Sequence, residues 1–180
     1  QREQKTAARI VSEFGKRSCV EEIGGSFGTT ITIEELFSNV PARLKFMKSA
    51  AAEGSRIKQT LKAIALSHPQ VEIKVSQDQQ LLSFWPACET RKQRVQQILQ
   101  LEEIFEGFAQ REGVKAYALF SGPSHVQKSA KDLWFFAQNR WIQDRGLQAA
   151  VTEAYRHLLM HGEYPMVVVW VETDADQIDV

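Results

Sequence analysis

Apolar residues along this 180-residue chain alternate between a spacing of two and a spacing near 3.6, and the changes mark out its elements. Residues 7–14 and 16–23 carry β-branched side chains on either side of Gly15, which predicts a hairpin turning on that glycine. Gly24-Gly25-Ser26-Phe27-Gly28 follows as a connection, and residues 29–34 alternate as a strand. Pro41 suits the first turn of a helix over 42–48, with Ser38 or Asn39 placed to cap it. A longer helix is predicted over 53–67, where Ile57, Leu61, Ile64 and Ala65 recur at helical spacing and His68-Pro69 stops it.

Beyond Pro69 the period falls to two. Val71, Ile73 and Val75 predict a half-buried strand, residues 77–80 a polar turn, and 81–85 its return. Thr90 and Gln93 form a capping box that opens a helix running to about Leu101, with Val95, Ile98 and Leu99 inward. Residues 114–120 read as a strand ended by Gly122-Pro123, and 124–131 as a polar loop. Two short strands, 133–137 and 140–142, flank Gln138-Asn139, and Asn accepts the positive φ of a tight turn. Asp144 caps a long helix with the stripe Leu147, Ala150, Val151, Ala154 and Leu158, for which Gly162 is the expected terminator. Residues 166–172 are continuously apolar, as in a central strand covered on both faces. Strands and helices are mixed throughout, and Pro69 marks a domain boundary.

Hydrophobic content of 43% and charged content of 24% are those of an ordinary globular protein, and the length fits one large domain or two small ones. Formal net charge is zero, so no global field draws the chain to nucleic acid or membrane, and any polyanion site must be a local basic face. Two such faces exist. Arg43, Lys45, Lys48, Arg56, Lys58 and Lys62 stand against Glu53 alone, as either a solvated helical face or a binding surface. Arg140, Arg145 and Arg156 lie on the second hairpin and the helix beside it, near Trp134 and Trp141. Their guanidinium forks suit phosphates, and the same pattern also fits surface arginines beside core aromatics. Cys19 and Cys88 lack disulfide or metal spacing, which points to a reducing cytoplasm. The longest apolar run, 166–171, is far short of the ~20 residues of a membrane span. The chain opens on Gln1 rather than Met and ends at Val180 beside a strand, so a piece of a longer protein is expected.

No enzyme constellation is complete. The glycine cluster before Thr29 matches neither the Walker loop nor the dinucleotide fingerprint, and no Gly-x-Ser-x-Gly nucleophile motif occurs. His157 and His161 have metal-ligand spacing but no third ligand, and histidines near a helix end also complement its dipole. Asp174, Asp176 and Asp179 fit either a magnesium site or a polar turn. No catalytic residue and no metal site is assigned within the chain.

The stretch GTTITIEELFSNVPARLKFM, residues 28–47, closely resembles a signature of MutL-type DNA mismatch repair proteins: Gly-Thr-Thr, then Leu-Phe, then Asn-x-Pro-Ala-Arg-x-Lys-Phe. WFFAQNRWIQDRGLQAAVTEAYR, residues 134–156, is similar to that family's Phe-Val-Asn-Gly-Arg-x-Val-x-Asp-Arg hairpin and helix, and residues 164–180 resemble the strand and acidic turn that follow. The resemblance implies an α+β fold in two parts. Residues 1–50 would be the truncated end of a GHKL ATPase sandwich of the kind shared with gyrase and histidine kinases. Residues 51–68 would be a connecting helix, and 69–180 a ribosomal-protein-like two-layer α/β sandwich that acts as transducer.

It further implies that the intact protein binds ATP with Mg2+, hydrolyses it, dimerises with itself or a paralogue, and couples that state to DNA and to mismatch-recognition and downstream repair proteins. Such a protein works in the cytoplasm, at the nucleoid in a bacterium, without membrane. Carried over by position, Gly28 and Thr29, with Thr30 accompanying them, match the adenine end of the nucleotide pocket, while Lys45, Arg140 and Arg145 match DNA-facing basic positions. Departures are Ser38 in place of an aromatic, Gln138-Asn139 in place of Asn-Gly, and Gln143 in place of a basic residue. The family's catalytic Glu, metal-binding Asn, adenine-reading Asp, lid and phosphate-reaching lysine have no counterpart in these residues. The fragment alone is therefore expected to bind ATP weakly and to be inactive. The alternatives are the transducer of another GHKL ATPase, such as a type II topoisomerase, or a non-catalytic nucleic-acid-binding module.

Overall fold

The computed structural model describes residues 6–173, and the chain divides into two units, Gln1–Glu53 and Gly54–Val180. The acidic group at Asp174, Asp176 and Asp179 lies outside the described residues.

In the first unit the predicted hairpin forms. β1 (Ala7–Arg9) pairs antiparallel with β4 (Glu21–Ile23), and β2 (Ser12–Glu13) with β3 (Lys16–Arg17). Phe14 at φ 48° and Gly15 at φ 82° make the left-handed turn. Residues 29–34 do not form the expected strand. Alternating Ile31 and Ile33 favour extended backbone, but a strand also needs a neighbour for its hydrogen bonds, and no described segment pairs with them. α1 spans Pro41–Phe46 with proline in its first turn, and its N-cap is Val40 without a side-chain cap bond, so neither Ser38 nor Asn39 caps it. No described residue of this unit is buried; Phe27, Ile31 and Phe46 are each 80% exposed or more.

α2, Ala50–Ser67, is the helix in which the division falls, and it starts slightly earlier than its apolar stripe predicts. In the second unit β5 (Ile73–Gln77) and β6 (Gln80–Trp85) form a hairpin turning on Asp78 and Gln79, both at positive φ. α3 (Arg91–Leu99) opens with the predicted capping box, in which Gln93 N donates to Thr90 Oγ1 at 3.2 Å and Thr90 N donates to Gln93 Oε1 at 3.2 Å. It ends on Gln100 in the left-handed conformation.

β7 (Phe105–Arg111) and β8 (Val114–Phe120) form a hairpin turning on Glu112-Gly113. The polar loop that follows contains a short β9 (Val126–Gln127), which pairs with β12 (Tyr164–Pro165). β10 (Leu133–Ala137) and β11 (Arg140–Ile142) form the second predicted hairpin, followed by α4 (Arg145–Ala154) and β13 (Val167–Glu172).

The main sheet has five strands in the order β11-β10-β13-β8-β7, with β13 parallel to β10 and antiparallel to β8. β13 is central, as its continuous apolar run requires. One face, bearing Trp134, Phe136, Val168, Trp170 and Leu119, packs in a cluster with Leu66 of α2 and Val95 and Ile98 of α3. The other, bearing Leu133, Phe135 and Val167, packs with Leu147 and Val151 of α4 and with Tyr155. This is the mixed α/β architecture that the pattern predicts.

α4 stops at Ala154, eight residues short of Gly162. Tyr155 ends it by turning its hydroxyl onto the Ser121 carbonyl at 2.9 Å, and residues 155–158 continue as turns. Gly162, at φ 82°, instead serves the turn in which Glu163 N donates to the Met160 carbonyl. His157 and His161 therefore share no helix face, and the described residues contain no cluster of three or more metal-ligating side chains.

Candidate nucleic-acid interface

The residues singled out from sequence fall in both units. Gly28, Thr29, Thr30 and Lys45 lie in the first, Arg140 and Arg145 in the second. Gly28 has φ 134° and open space where a Cβ would stand, so its conformation rather than crowding calls for glycine. Thr29 and Thr30 are exposed beside it. Backbone without a side chain and two free-standing threonines suit close approach of a flat ligand such as a nucleotide base. Lys45 is exposed on α1, where Arg43 and Lys45 in the last turn complement the helix dipole.

In the second unit the geometry around the basic hairpin is better defined. Phe135, Phe136 and Ala137 pair with Ile142, Trp141 and Arg140, and Gln138 and Asn139 form the turn at φ 48° and 63°. Trp134 is fully buried and its ring centroid lies 5.6 Å from that of Trp141, so the hairpin stands on core aromatics. Arg140 leaves the turn exposed, as the first residue of β11. Four residues later, Asp144 accepts from Leu147 N at 2.7 Å and caps α4, which makes Arg145 the first helical residue, also exposed.

Neither Arg140 nor Arg145 has an acidic partner among the described residues. Arg156 differs: it is bound to Glu153 at 2.9 Å beyond the end of α4. A cation at the N-terminus of a helix opposes the macrodipole, so Arg145 does not serve α4 stability, whereas an anion there would satisfy both.

Arg91, the first residue of α3, was not legible as part of this region. Its Nη2 donates to Asn139 Oδ1 at 3.2 Å, and its guanidinium carbon lies 4.9 Å from the Trp170 ring centroid. The only sequence signal is an arginine just after a cap, and that reads as surface.

A family model described as "DNA mismatch repair protein, C-terminal domain" matches residues 93–180, the stretch that holds α3 from its third residue, the hairpin and α4. The MutL mismatch repair protein of Citrifermentans bemidjiense is 33% identical over 174 residues, covering 95% of this chain and 27% of that protein. Its counterpart in Geobacter sulfurreducens is 34% identical, covering 95% of this chain and 28% of that protein. The chain belongs to the MutL family of DNA mismatch repair proteins.

Among solved structures, the Aquifex aeolicus MutL ATPase domain complexed with ADP superimposes with a TM-score of 0.76 at 24% identity, over 95% of this chain and 63% of that one. The N-terminal domain of a DNA repair protein does so with a TM-score of 0.80 at 15% identity, over 98% of this chain and 60% of that one. At these identities the likeness is one of fold, shared with the MutL ATPase domain of Aquifex aeolicus. The chain spans between about a quarter and a third of the length of its MutL relatives. No helix among the described residues is long and apolar enough to cross a membrane.

Proposed function

We propose that this chain acts within a mismatch repair ATPase that binds ATP, dimerises, and passes its nucleotide state to DNA and to repair partners. The observation that carries its DNA role is the placement of Arg140 and Arg145. Both are exposed and, among the described residues, without acidic partners, one beside a tight turn over buried tryptophan and one at a capped helix start. Such groups meet phosphates with fixed geometry and no sequence preference. Lys45 on α1 is a further phosphate contact in the same reading.

ATP is the cofactor in this reading, and an ADP complex of the Aquifex aeolicus relative supports it. The residues present fit one part of that ligand. Gly28, Thr29 and Thr30 would face the base, where the open, positive-φ glycine allows close approach. When bound, ATP supplies the phosphate charge and hydrolysis energy that switch the dimer. For Mg2+ the described residues offer no ligand group of three or more His, Cys, Asp or Glu, so none of them is assigned to it. The catalytic machinery, the dimer contacts and the sites for mismatch-recognition and downstream repair proteins are assigned to the rest of the protein, which in this reading works in the cytoplasm, at the nucleoid if the source is bacterial.

The test is charge reversal. Arg145→Glu should weaken duplex DNA binding broadly across sequences and lower the salt dependence of the binding constant by about one phosphate contact. Unchanged affinity would remove the assignment of Arg145 to DNA, and absence of ATP turnover in the full-length protein would remove the ATPase reading.

A further inference from the structure

The hairpin that presents Arg140 is only two residues of turn and three of returning strand, at the edge of the sheet. A short edge element of this kind frays unless something outside it holds the tip. Two elements do. From the β13 side, Gln138 N donates to the Val171 carbonyl at 3.2 Å, and the Gln138 side-chain amide donates to the Thr173 carbonyl. From the α3 side, a single guanidinium does three things at once. Arg91 donates to Asn139 Oδ1 at 3.2 Å, lies 3.8 Å from Glu172 Oε1, and rests over Trp170, itself only 2% exposed. Asn139 is the turn residue immediately before Arg140.

Arg91 is also the first residue of α3, where a cation opposes the helix dipole, so stabilising its own helix does not account for it. Its planar fork can bond along its edge while its face rests on the indole, a combination that the point charge of a lysine cannot reproduce.

We propose that Arg91 is a positioning residue: it fixes the tip of the β10–β11 hairpin against α3 and β13, and so sets Arg140 for its phosphate. This rests on the DNA reading of Arg140 and Arg145. The coupling runs through Asn139, so deleting either partner should have one shared effect. Because Arg91 does not itself meet DNA, its loss should lower affinity without changing how many counterions DNA binding releases.

The experiment uses this chain and a fluorescent DNA duplex, with affinity measured across a range of salt. Asn139→Gly keeps a residue at ease with positive φ and removes only the acceptor. Arg91→Gln removes the fork. Each should weaken binding about two- to tenfold, the range of one lost hydrogen bond, with the salt slope unchanged. The double variant should be no weaker than the worse single one. Arg91→Lys, which keeps the charge and leaves the core undisturbed, should not restore affinity. Hydrogen exchange at the amides of residues 139–141 should accelerate in all four variants.

Arg145→Gln separates the two ideas. If it weakens binding while Arg91→Gln and Asn139→Gly do not, the positioning role is overturned and the DNA surface stands. If Arg91→Gln lowers the salt slope as Arg145→Gln does, Arg91 is itself a phosphate contact and the positioning role is again overturned. If Arg145→Gln has no effect either, the DNA surface fails and the proposal fails with it.

Discussion

Arg94 donates from Nη2 to the Pro69 carbonyl at 2.6 Å, across 25 residues of sequence, from a side chain with no exposure at all. The same nitrogen reaches the Val71 carbonyl at 2.6 Å, and Nη1 donates to Gln97 Oε1 at 3.1 Å. A buried guanidinium, bonded through both Nη atoms to neutral acceptors and with its Nε unpaired among the described residues, ties the segment after α2 to the middle of α3. Burying a charge without a carboxylate is costly, and these bonds, with packing beside Val95, offset the cost. Arg94→Ala should destabilise the protein by about 2–4 kcal/mol, because it removes the donor to the Pro69 and Val71 carbonyls and opens a cavity. Arg94→Met, which fills most of the space, should cost less. Urea unfolding of both variants checks this; equal costs would mean that the hydrogen bonds contribute nothing.

Asp144 governs the presentation of Arg145. Its carboxylate accepts from Leu147 N at 2.7 Å and starts α4 at the residue that carries the basic side chain. Asp144→Ala should cost about 1 kcal/mol of stability and fray the first turn of α4. Asp144→Ser should recover most of that loss, since a hydroxyl also caps. Circular dichroism during thermal unfolding measures both.

What could be read from the sequence is what local rules decide. Thr90 with Gln93, and Asp144 before an apolar stripe, announce helix starts that the backbone then adopts. The 133–137 and 140–142 strands and their Gln138-Asn139 turn also come out at the predicted positions, because Asn tolerates the left-handed backbone that the turn demands. β7 was not legible. Gly107 interrupts it and Phe105 and Phe108 face opposite sides, so no period survives, although Glu112-Gly113 is a turn signal that could have paired it with β8. The roles of Arg91 and Arg94 were hidden for a different reason. A helix opening Arg-Lys-Gln-Arg reads as a solvated face, and only the tertiary placement of Asn139, Trp170 and Pro69 gives those charges their partners. Residues 29–34 failed in the opposite sense, since alternation alone does not supply a partner strand.

Acid should act on the turn between α4 and β12. Glu163 accepts from Lys128 at 2.8 Å and from Met160 N at 3.3 Å. The Lys128 ammonium, seconded by that backbone amide, holds the carboxyl below the usual carboxylate range. A carboxyl with a lower pKa when folded contributes stability above its unfolded value of roughly 4.3 and loses it as pH falls through the folded value. The stability difference between the native chain and Glu163→Gln should therefore be present at neutral pH and close below about pH 4. A difference that stays constant from neutral pH down to strong acid would show that Glu163 does not act through its charge.

Alkali should act at the end of α4. Tyr155 belongs to the cluster beneath that helix and donates its hydroxyl to the Ser121 carbonyl at 2.9 Å, which a phenolate cannot do. Burial raises the pKa of this phenol above its ordinary value, because the charged form would lose its water. With the folded pKa raised, the unfolded chain loses its proton first. Stability is therefore intact below the unfolded value, about 10, and falls as pH rises toward the folded one. Tyr155→Phe should cost about 1 kcal/mol at neutral pH through the lost hydrogen bond, and its stability should decline less steeply than that of the native chain above about pH 10. Parallel decline in the two proteins, measured by urea unfolding at a series of alkaline pH values, would move the alkaline sensitivity to another group, and Tyr117 is the next to examine. Its pKa is raised by burial and by its hydrogen bond to Glu106.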